Sequence, residues 1–163
     1  RQQLCACGVG LACEVLPQAF YQDGYAAKGQ AYRNIFDREK GWFRPRRADG
    51  AWEPWPENAR TTEWYGCIES NPYQQGWFVP HDVEGLIGCF GGKEAFTGKL
   101  DSLFVVSSVL EGAASPDISG LIGQYAHGNE PSHHVVYLYT MIGQPWKTAD
   151  KVREILTTLY HDR

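Results

Sequence analysis

The chain of 163 residues is long enough for one domain or for part of a larger one. Hydrophobic residues make up 43% of it, so it can form a core, and aromatic residues reach 13%, typical of proteins that stack rings on ligand faces. The net charge of −4 and the pI of about 5.7 argue against nucleic acid or an anionic membrane as a partner. No apolar run approaches the roughly 18 residues that a membrane-spanning helix needs.

Five cysteines are spread through the chain without a CxxC pair or a zinc-finger spacing. We interpret most of them as buried thiols, because a free cysteine behaves as a small hydrophobic side chain. Residues 1–13 faintly resemble a secretion signal, but glycines interrupt their apolar run, and part of a helix explains the pattern better. We therefore expect the chain to begin inside a domain.

The first predicted helix precedes a long segment that is rich in glycine, proline and tryptophan. Apolar residues from Tyr21 to Phe36 repeat on one helical face, and Gly41 is expected to end this helix. Residues 41–80 are too many for an ordinary connection, with room for a small hairpin within 41–55. Long ordered loops usually carry function, so we expect this segment to contribute to a site.

Two adjacent helices are predicted between residues 82 and 104. Asp82 is a suitable N-cap, and an apolar stripe at i, i+3, i+4 and i+7 runs from Val83 to Phe90 before Gly91-Gly92 ends the helix. A further apolar pattern from Phe96 to Phe104 marks the next helix.

Two more helices are predicted after a polar loop over about 107–131. Pro131 is suited to the first position of a helix that runs through Met141. Thr148 is expected to cap a last amphipathic helix that extends to Leu159. Strand signals are weak, so the predicted fold class is all-α, and helices joined by long loops indicate an α/α barrel or a helical array.

Glu69 lies among aromatic and apolar residues in the segment 63–82. Such surroundings disfavour an ionised carboxylate, which suits a general acid. The alternative is a carboxylate that is hydrogen-bonded to a nearby helix end. Each nearby tryptophan is by itself best interpreted as a core residue, but some of the group should line a pocket for a ligand with apolar faces, such as a sugar. These tryptophans are Trp42, Trp52, Trp55, Trp64 and Trp77.

A second polar cluster, at 124–134, contains three histidines, an asparagine and a glutamate. His133 and His134 are adjacent and do not share a helical face, so we do not expect them to chelate one ion together. Oxygen ligands from Asn129 and Glu130 favour calcium instead. The alternative is a polar helix start in which these two side chains satisfy free N–H groups.

Two long motifs carry a family resemblance, namely ESNPYQQGWFVPHDV at 69–83 and ISGLIGQYAHGNEPSHH at 118–134. They resemble signatures of glycoside hydrolase family 92, the calcium-dependent exo-α-mannosidases. Shorter matches at 91–93 and 143–147 occur in the expected order, and the resemblance covers most of residues 16–160.

The resemblance implies an (α/α)6 barrel and inverting, calcium-dependent hydrolysis of terminal α-linked mannose from glycans, with α-1,2 linkages a common substrate. It implies that Glu69 is the general acid and that Asn129 and Glu130 belong to the calcium and substrate site. It also implies six candidates for substrate binding: Trp64, Trp77, His81, Asp82, His133 and His134.

The chain departs from the family pattern because the segment that carries the aspartate base does not occur before Arg163. We therefore expect residues 1–163 to be a partial barrel, truncated at both ends and inactive alone. The resemblance implies an extracellular or periplasmic location. The alternative function is a non-catalytic carbohydrate-binding or scaffold fragment, and the sequence does not indicate an oligomeric state.

Overall fold

The computed structural model describes residues 27–56, 58–60, 62 and 66–161, which are mainly helical. The helices are α1 (Pro72–Gln75), α2 (Val83–Phe90), α3 (Lys93–Leu103), α4 (Leu138–Met141) and α5 (Pro145–Leu159), with 3₁₀ turns at Ala31–Ile35, Glu130–Ser132 and Val135–Tyr137. Two antiparallel hairpins pair β1 (Phe36–Asp37) with β2 (Trp42–Phe43) and β3 (Leu121–Ile122) with β4 (Tyr125–Ala126). The expected helical organisation is confirmed apart from these hairpins, and the closed barrel stays a prediction.

The segment before residue 41 differs from the continuous helix that its apolar pattern predicts. Ala31–Ile35 form only a 3₁₀ turn, and the chain then enters β1, while residues before 27 lie outside the described part. The reason is aromatic packing between the hairpin strands. Phe36 pairs with Phe43, and their rings meet edge to face with centroids 5.2 Å apart. The small hairpin considered within 41–55 is thus not the one that forms, since only β2 lies in that range, where an isolated antiparallel bridge joins Arg46 to Trp52.

Helices α2 and α3 lie where the sequence predicts them. The carboxylate of Asp82 accepts the Gly85 N–H at 2.9 Å and caps α2, while Gly91 ends the helix in the left-handed conformation with φ 96°. One face of each helix is buried, as the apolar stripes require. The buried residues of these faces are Val83, Leu86, Ile87, Phe96, Leu100 and Leu103.

The two C-terminal helices begin differently from the prediction. Pro131 lies in a 3₁₀ turn, and a second 3₁₀ turn separates it from α4, so the single helix predicted from 131 to 141 is wrong. Helix α5 begins at Pro145, whose missing N–H and fixed φ suit a first helical position. The prediction that Thr148 is the N-cap is also wrong. Thr148 lies inside α5, where its hydroxyl donates to the Val136 carbonyl at 3.0 Å.

An aromatic cluster forms the centre of the core. The indole of Trp77 is only 1% exposed and stacks on Phe90, with centroids 5.5 Å apart and an interplanar angle of 7°. Phe96 and Trp42 meet the same indole edge to face. These rings join the long loop to β2, α2 and α3, and so they fix the position of the segment that follows Glu69.

The described cysteines agree with the expectation of free, packed thiols. Cys67 is half-buried and Cys89 is buried, and neither forms a disulfide. Burial raises the pKa of the Cys67 thiol to about 12. The other three cysteines lie before residue 27, outside the described residues.

Gly123 lies in the turn between β3 and β4, where it packs closely against the backbone at the end of α3. Substitutions of this glycine should therefore lower stability strongly. A Cβ atom at Gly123 (φ +58°) would lie 2.4 Å from the Leu103 carbonyl oxygen, whereas at Gly143 (φ +84°) it would meet nothing within 4 Å. We expect Gly143→Ala to cost about 1 kcal/mol from backbone strain alone. Gly123→Ala should cost about 3 kcal/mol or more, because backbone must also move. If thermal unfolding showed equal losses of stability for Gly123→Ala and Gly143→Ala, the close contact at Gly123 would be contradicted.

Candidate functional site

Glu69 and Asn129 meet directly although they are far apart in sequence. The side-chain amide of Asn129 donates to the carbonyl oxygen of Glu69 at 3.0 Å, across a separation of 60 residues. Glu69 has φ 53° and is the one non-glycine residue of the described part with a positive φ. A left-handed backbone at such a residue costs roughly 1–3 kcal/mol and occurs preferentially at functional sites. The hydrogen bond from Asn129 helps to hold this strained conformation.

The carboxylate of Glu69 is open to solvent in the described structure. Its side chain is exposed and makes no hydrogen bond or ion pair with the described residues. The aromatic enclosure that the sequence suggests is therefore not found among these residues, since Trp77 turns into the core instead. The alternative of a helix-end contact is not observed among the described residues either. With respect to these residues, the carboxylate is accessible to a ligand.

A second contact joins the same two segments inside the core. The Asn71 side-chain amide donates to the Gln124 side-chain oxygen at 2.8 Å, and both residues are 0% exposed. Asn71 also caps α1 in a capping box with Gln74, so it fixes the start of the helix that follows Glu69. The sequence analysis missed this pair. The capping box could have been read from Asn71 and Gln74, but its buried partner could not.

Asn129 and Glu130 were predicted as calcium ligands. Asn129 is 7% exposed and precedes a 3₁₀ turn without making a capping hydrogen bond, so the alternative of a helix cap is not observed. Glu130 is exposed. Within the described residues, no group of three or more His, Cys, Asp or Glu could hold a metal ion. The side chains of these two residues offer at most three oxygen ligands, against the six to eight that calcium takes.

The adjacent histidines contact different parts of the chain. The ring nitrogens of His134 lie 2.9 Å from the Pro131 carbonyl oxygen and 3.0 Å from that of Trp77. His133 lies 2.9 Å from the His127 carbonyl oxygen and stacks on the His127 ring at 4.7 Å. Burial, and then the nearby His133, lower the pKa of His127. His134 thus ties the 130–134 turn to the Trp77 segment, and substrate binding by His133 and His134 stays a prediction.

Asp82 and His81 also make contacts within the protein. One carboxylate oxygen of Asp82 accepts the Tyr32 hydroxyl at 2.6 Å, the Arg33 guanidinium at 3.1 Å and the Gln30 amide. Burial alone would raise the pKa of Asp82, but these donors and the helix N–H hold it below its usual range. His81 contacts the carbonyl of Gly29 at 2.8 Å. Both residues therefore have structural partners, and their role in substrate binding stays a prediction.

The tryptophans mostly serve the core rather than a ligand surface. The ring of Trp77 is 1% exposed and enclosed by other core aromatics among the described residues, so it packs as a core residue here, and its role in substrate binding stays a prediction. Trp42 is likewise buried, and Trp52 packs under the Arg46 guanidinium at 3.7 Å. Trp64 lies outside the described residues.

Residues 11–163 match the family model described as the glycosyl hydrolase family 92 catalytic domain. The chain belongs to this family. The membership expected from the two motifs is therefore confirmed. No helix among the described residues combines the length and apolar character needed to cross a membrane.

Solved structures of the family are similar in sequence and in fold. One is a family GH92 alpha-mannosidase from Bacteroides thetaiotaomicron in complex with mannoimidazole, with 35% identity and a TM-score of 0.74, covering 85% of this chain and 19% of that chain. Another is a family GH92 inverting mannosidase from Bacteroides thetaiotaomicron VPI-5482, with 34% identity and a TM-score of 0.74, covering 98% of this chain and 22% of that chain. The chain thus spans about a fifth of the length of these solved relatives.

A fungal protein is also similar. It is an uncharacterized secreted glycosidase from Arthroderma benhamiae, 28% identical over 131 residues, which cover 75% of this chain and 15% of the relative.

The contacts of Asp82 predict how stability depends on pH. Asp82→Asn keeps a cap for Gly85 but loses the charged acceptor, and should cost about 1–3 kcal/mol at pH 7. The folded pKa of Asp82 is lowered from 3.8, so its stabilising charge is present above that pH and is lost as the pH falls through the folded pKa. The Tm difference between the wild type and the variant should therefore shrink at pH 3. Asp150→Asn, at a 72% exposed side chain, is the control and should change little at either pH. A Tm difference that does not depend on pH would contradict the assignment.

Proposed function

We propose that the protein containing this chain hydrolyses terminal α-linked mannose from glycans, and that Glu69 is its general acid. The observation that supports this proposal most is the hydrogen bond from the Asn129 side chain to the Glu69 carbonyl, by which the two motif segments contact each other. The exposed carboxylate of Glu69 supports the proposal, since a proton donor has to reach the substrate. The solved relatives are described as mannosidases, which supports the choice of sugar.

We propose inversion as the stereochemical course, in line with the relative described as an inverting mannosidase. Inverting glycosidases place two carboxyl groups about 6.5–9.5 Å apart, which leaves room for a water molecule. The Glu69 carboxyl donates its proton to the glycosidic oxygen as the bond to the sugar carbon breaks. A second carboxylate takes a proton from the water that attacks the opposite face of that carbon. We infer that this base comes from a part of the protein other than the fifth of the relatives' length that this chain spans.

We propose calcium as the cofactor, with Asn129 and Glu130 among its ligands. The amide nitrogen of Asn129 is used by Glu69, and its side-chain oxygen has no partner among the described residues. The carboxylate of Glu130 is exposed and likewise makes no described hydrogen bond. Both donors are hard oxygens, which calcium prefers, and the remaining ligands would come from other segments, from water or from the sugar. When bound, the ion would supply a positive charge that attracts sugar hydroxyls.

The substrate proposal extends to linkage and location. We infer mannose-containing glycans with α-1,2 linkages as the partners, and neither nucleic acid nor membrane, in keeping with the acidic net charge of −4. We infer an extracellular or periplasmic location, which is supported by the fungal relative described as secreted.

Replacement of the acid tests the proposal in the full-length protein. Glu69→Gln should lower kcat on α-1,2-mannobiose by about 10²–10⁴-fold, because a sugar is a poor leaving group that needs protonation. Turnover of a nitrophenyl α-mannoside, whose leaving group departs without help, should fall much less. Glu84→Gln, an exposed acid in the first turn of α2, is the matched control and should keep wild-type rates on both substrates. A fully active Glu69→Gln enzyme would refute the role of Glu69.

Chelation and calorimetry test the proposed cofactor. We expect a calcium chelator to abolish mannose release, and added calcium to raise the Tm of the metal-free protein, because a ligand that binds only the folded state stabilises it. Glu130→Gln removes a charged oxygen ligand and should weaken calcium binding by at least about tenfold. Glu94→Gln, at the first turn of α3, serves as the control and should bind calcium normally. Full activity in the chelator would contradict the proposed role of the metal.

A further inference from the structure

The side chains of Asn71 and Gln124 form a fully buried amide pair, and nearly all of their polar atoms make hydrogen bonds within the protein. The Asn71 oxygen accepts the Gln74 N–H at 3.1 Å, and its nitrogen donates to Gln124 at 2.8 Å. The Gln124 nitrogen donates to the Ser107 carbonyl at 2.6 Å and lies 3.3 Å from that of Val109. A buried polar pair with satisfied hydrogen bonds has one low-energy arrangement and therefore fixes its surroundings.

The pair is close in sequence to both halves of the proposed site. Asn71 follows Glu69 by two residues, and Gln124 precedes Asn129 by five. Between Glu69 and Asn71, the Ser70 hydroxyl bonds the Ile68 carbonyl and the Gln75 side chain at 2.9 and 2.8 Å. The backbone on the C-terminal side of Glu69 is thus attached at several points.

Two attachments constrain Glu69 more than one does. The Asn129 hydrogen bond holds the Glu69 carbonyl, but a single bond still allows the residue to pivot about it. The amide pair fixes the chain two residues further on, so the backbone that follows the strained Glu69, with φ 53°, is held at a second point. The direction of the Glu69 side chain depends on that backbone conformation.

We propose that Asn71 and Gln124 are positioning residues, which orient Glu69 for proton donation without touching the substrate. The inference rests on the proposed function of Glu69. It predicts that loss of the pair impairs the protonation step specifically, rather than stability alone.

The test measures how the rate depends on the leaving group in full-length Gln124→Met. Methionine keeps the volume of glutamine but can neither accept from Asn71 nor donate to the loop carbonyls. Misplacement of a catalytic group by about 1 Å can cost 10²-fold, so kcat on α-1,2-mannobiose should fall about 10- to 100-fold. KM should stay near the wild-type value, and turnover of the nitrophenyl α-mannoside should change by less than about threefold, because that leaving group needs little acid assistance.

Thr148→Val is the matched control for a purely structural role. It also removes a buried hydrogen bond, to the Val136 carbonyl at 3.0 Å, but in α5 and not in either motif segment. Thr148→Val should lower the Tm without changing the ratio between the kcat on α-1,2-mannobiose and the kcat on the nitrophenyl α-mannoside. A Gln124→Met enzyme that folds and keeps the wild-type ratio would overturn the proposal.

A second variant covers the case in which Gln124→Met does not fold. Gln124→Asn keeps the amide but is one methylene shorter, so it cannot reach Asn71 and the loop carbonyls together. It should show the same selective loss on mannobiose. Failure of both variants to fold would also overturn the proposal, since the pair would then be required for the fold itself.

Glu69→Gln, measured on the same two substrates, separates the two proposals. If the ratio of the rates on the two substrates changed in Glu69→Gln but not in the folded Gln124 variants, only the positioning role would be refuted. An unchanged ratio in Glu69→Gln would refute the proposed function as well.

Discussion

The hydrogen bond between the Asn129 side chain and the Glu69 carbonyl determines which residues share the candidate site. It joins two segments that lie 60 residues apart and holds the one described non-glycine residue with a positive φ. The side-chain nitrogen of Asn129 is the donor of this bond, so its side-chain oxygen can bind another partner. One interaction thus couples the geometry of the proposed acid to that of the proposed cation ligand.

Several residues around the candidate site make hydrogen bonds within the protein. Asp82 caps α2 and accepts the Tyr32 hydroxyl, and His134 joins the 130–134 turn to the Trp77 carbonyl. These contacts, with the aromatic cluster beneath them, hold the motif segments rigid around an exposed Glu69. Much of each motif therefore supports the site, and only a few of its residues are free to meet a ligand.

The sequence predicted best the elements that local rules decide. Asp82, the apolar stripe and Gly91 together defined α2, because capping and periodicity act within a few residues. The first predicted helix was wrong over 31–37, where pairing of Phe36 with Phe43 outweighed the helical pattern, whereas residues 27–29 are helical. The prediction of Thr148 as an N-cap was wrong because Pro145 is the stronger helix start.

The site itself was only partly predictable for a similar reason. The motifs identified Glu69 and Asn129, but their contact is tertiary, as is the pairing of Asn71 with Gln124. Trp77 shows the limit of a local pattern, since an aromatic residue beside an acid fits a ligand platform and a core position equally well. Its burial depends on Phe90 and Phe96 of α2 and α3, which follow later in the chain.

The most direct test of a shared site is a crystal structure of the full-length protein with mannoimidazole bound. We expect the Glu69 carboxylate to lie within hydrogen-bond reach of the bound mannoimidazole, about 2.6–3.2 Å, directly or through one water molecule. We also expect the Asn129 side chain to hold the Glu69 carbonyl and to face the same sugar ring. A mannoimidazole molecule bound remote from Glu69, or an Asn129 side chain detached from that carbonyl, would refute the shared site.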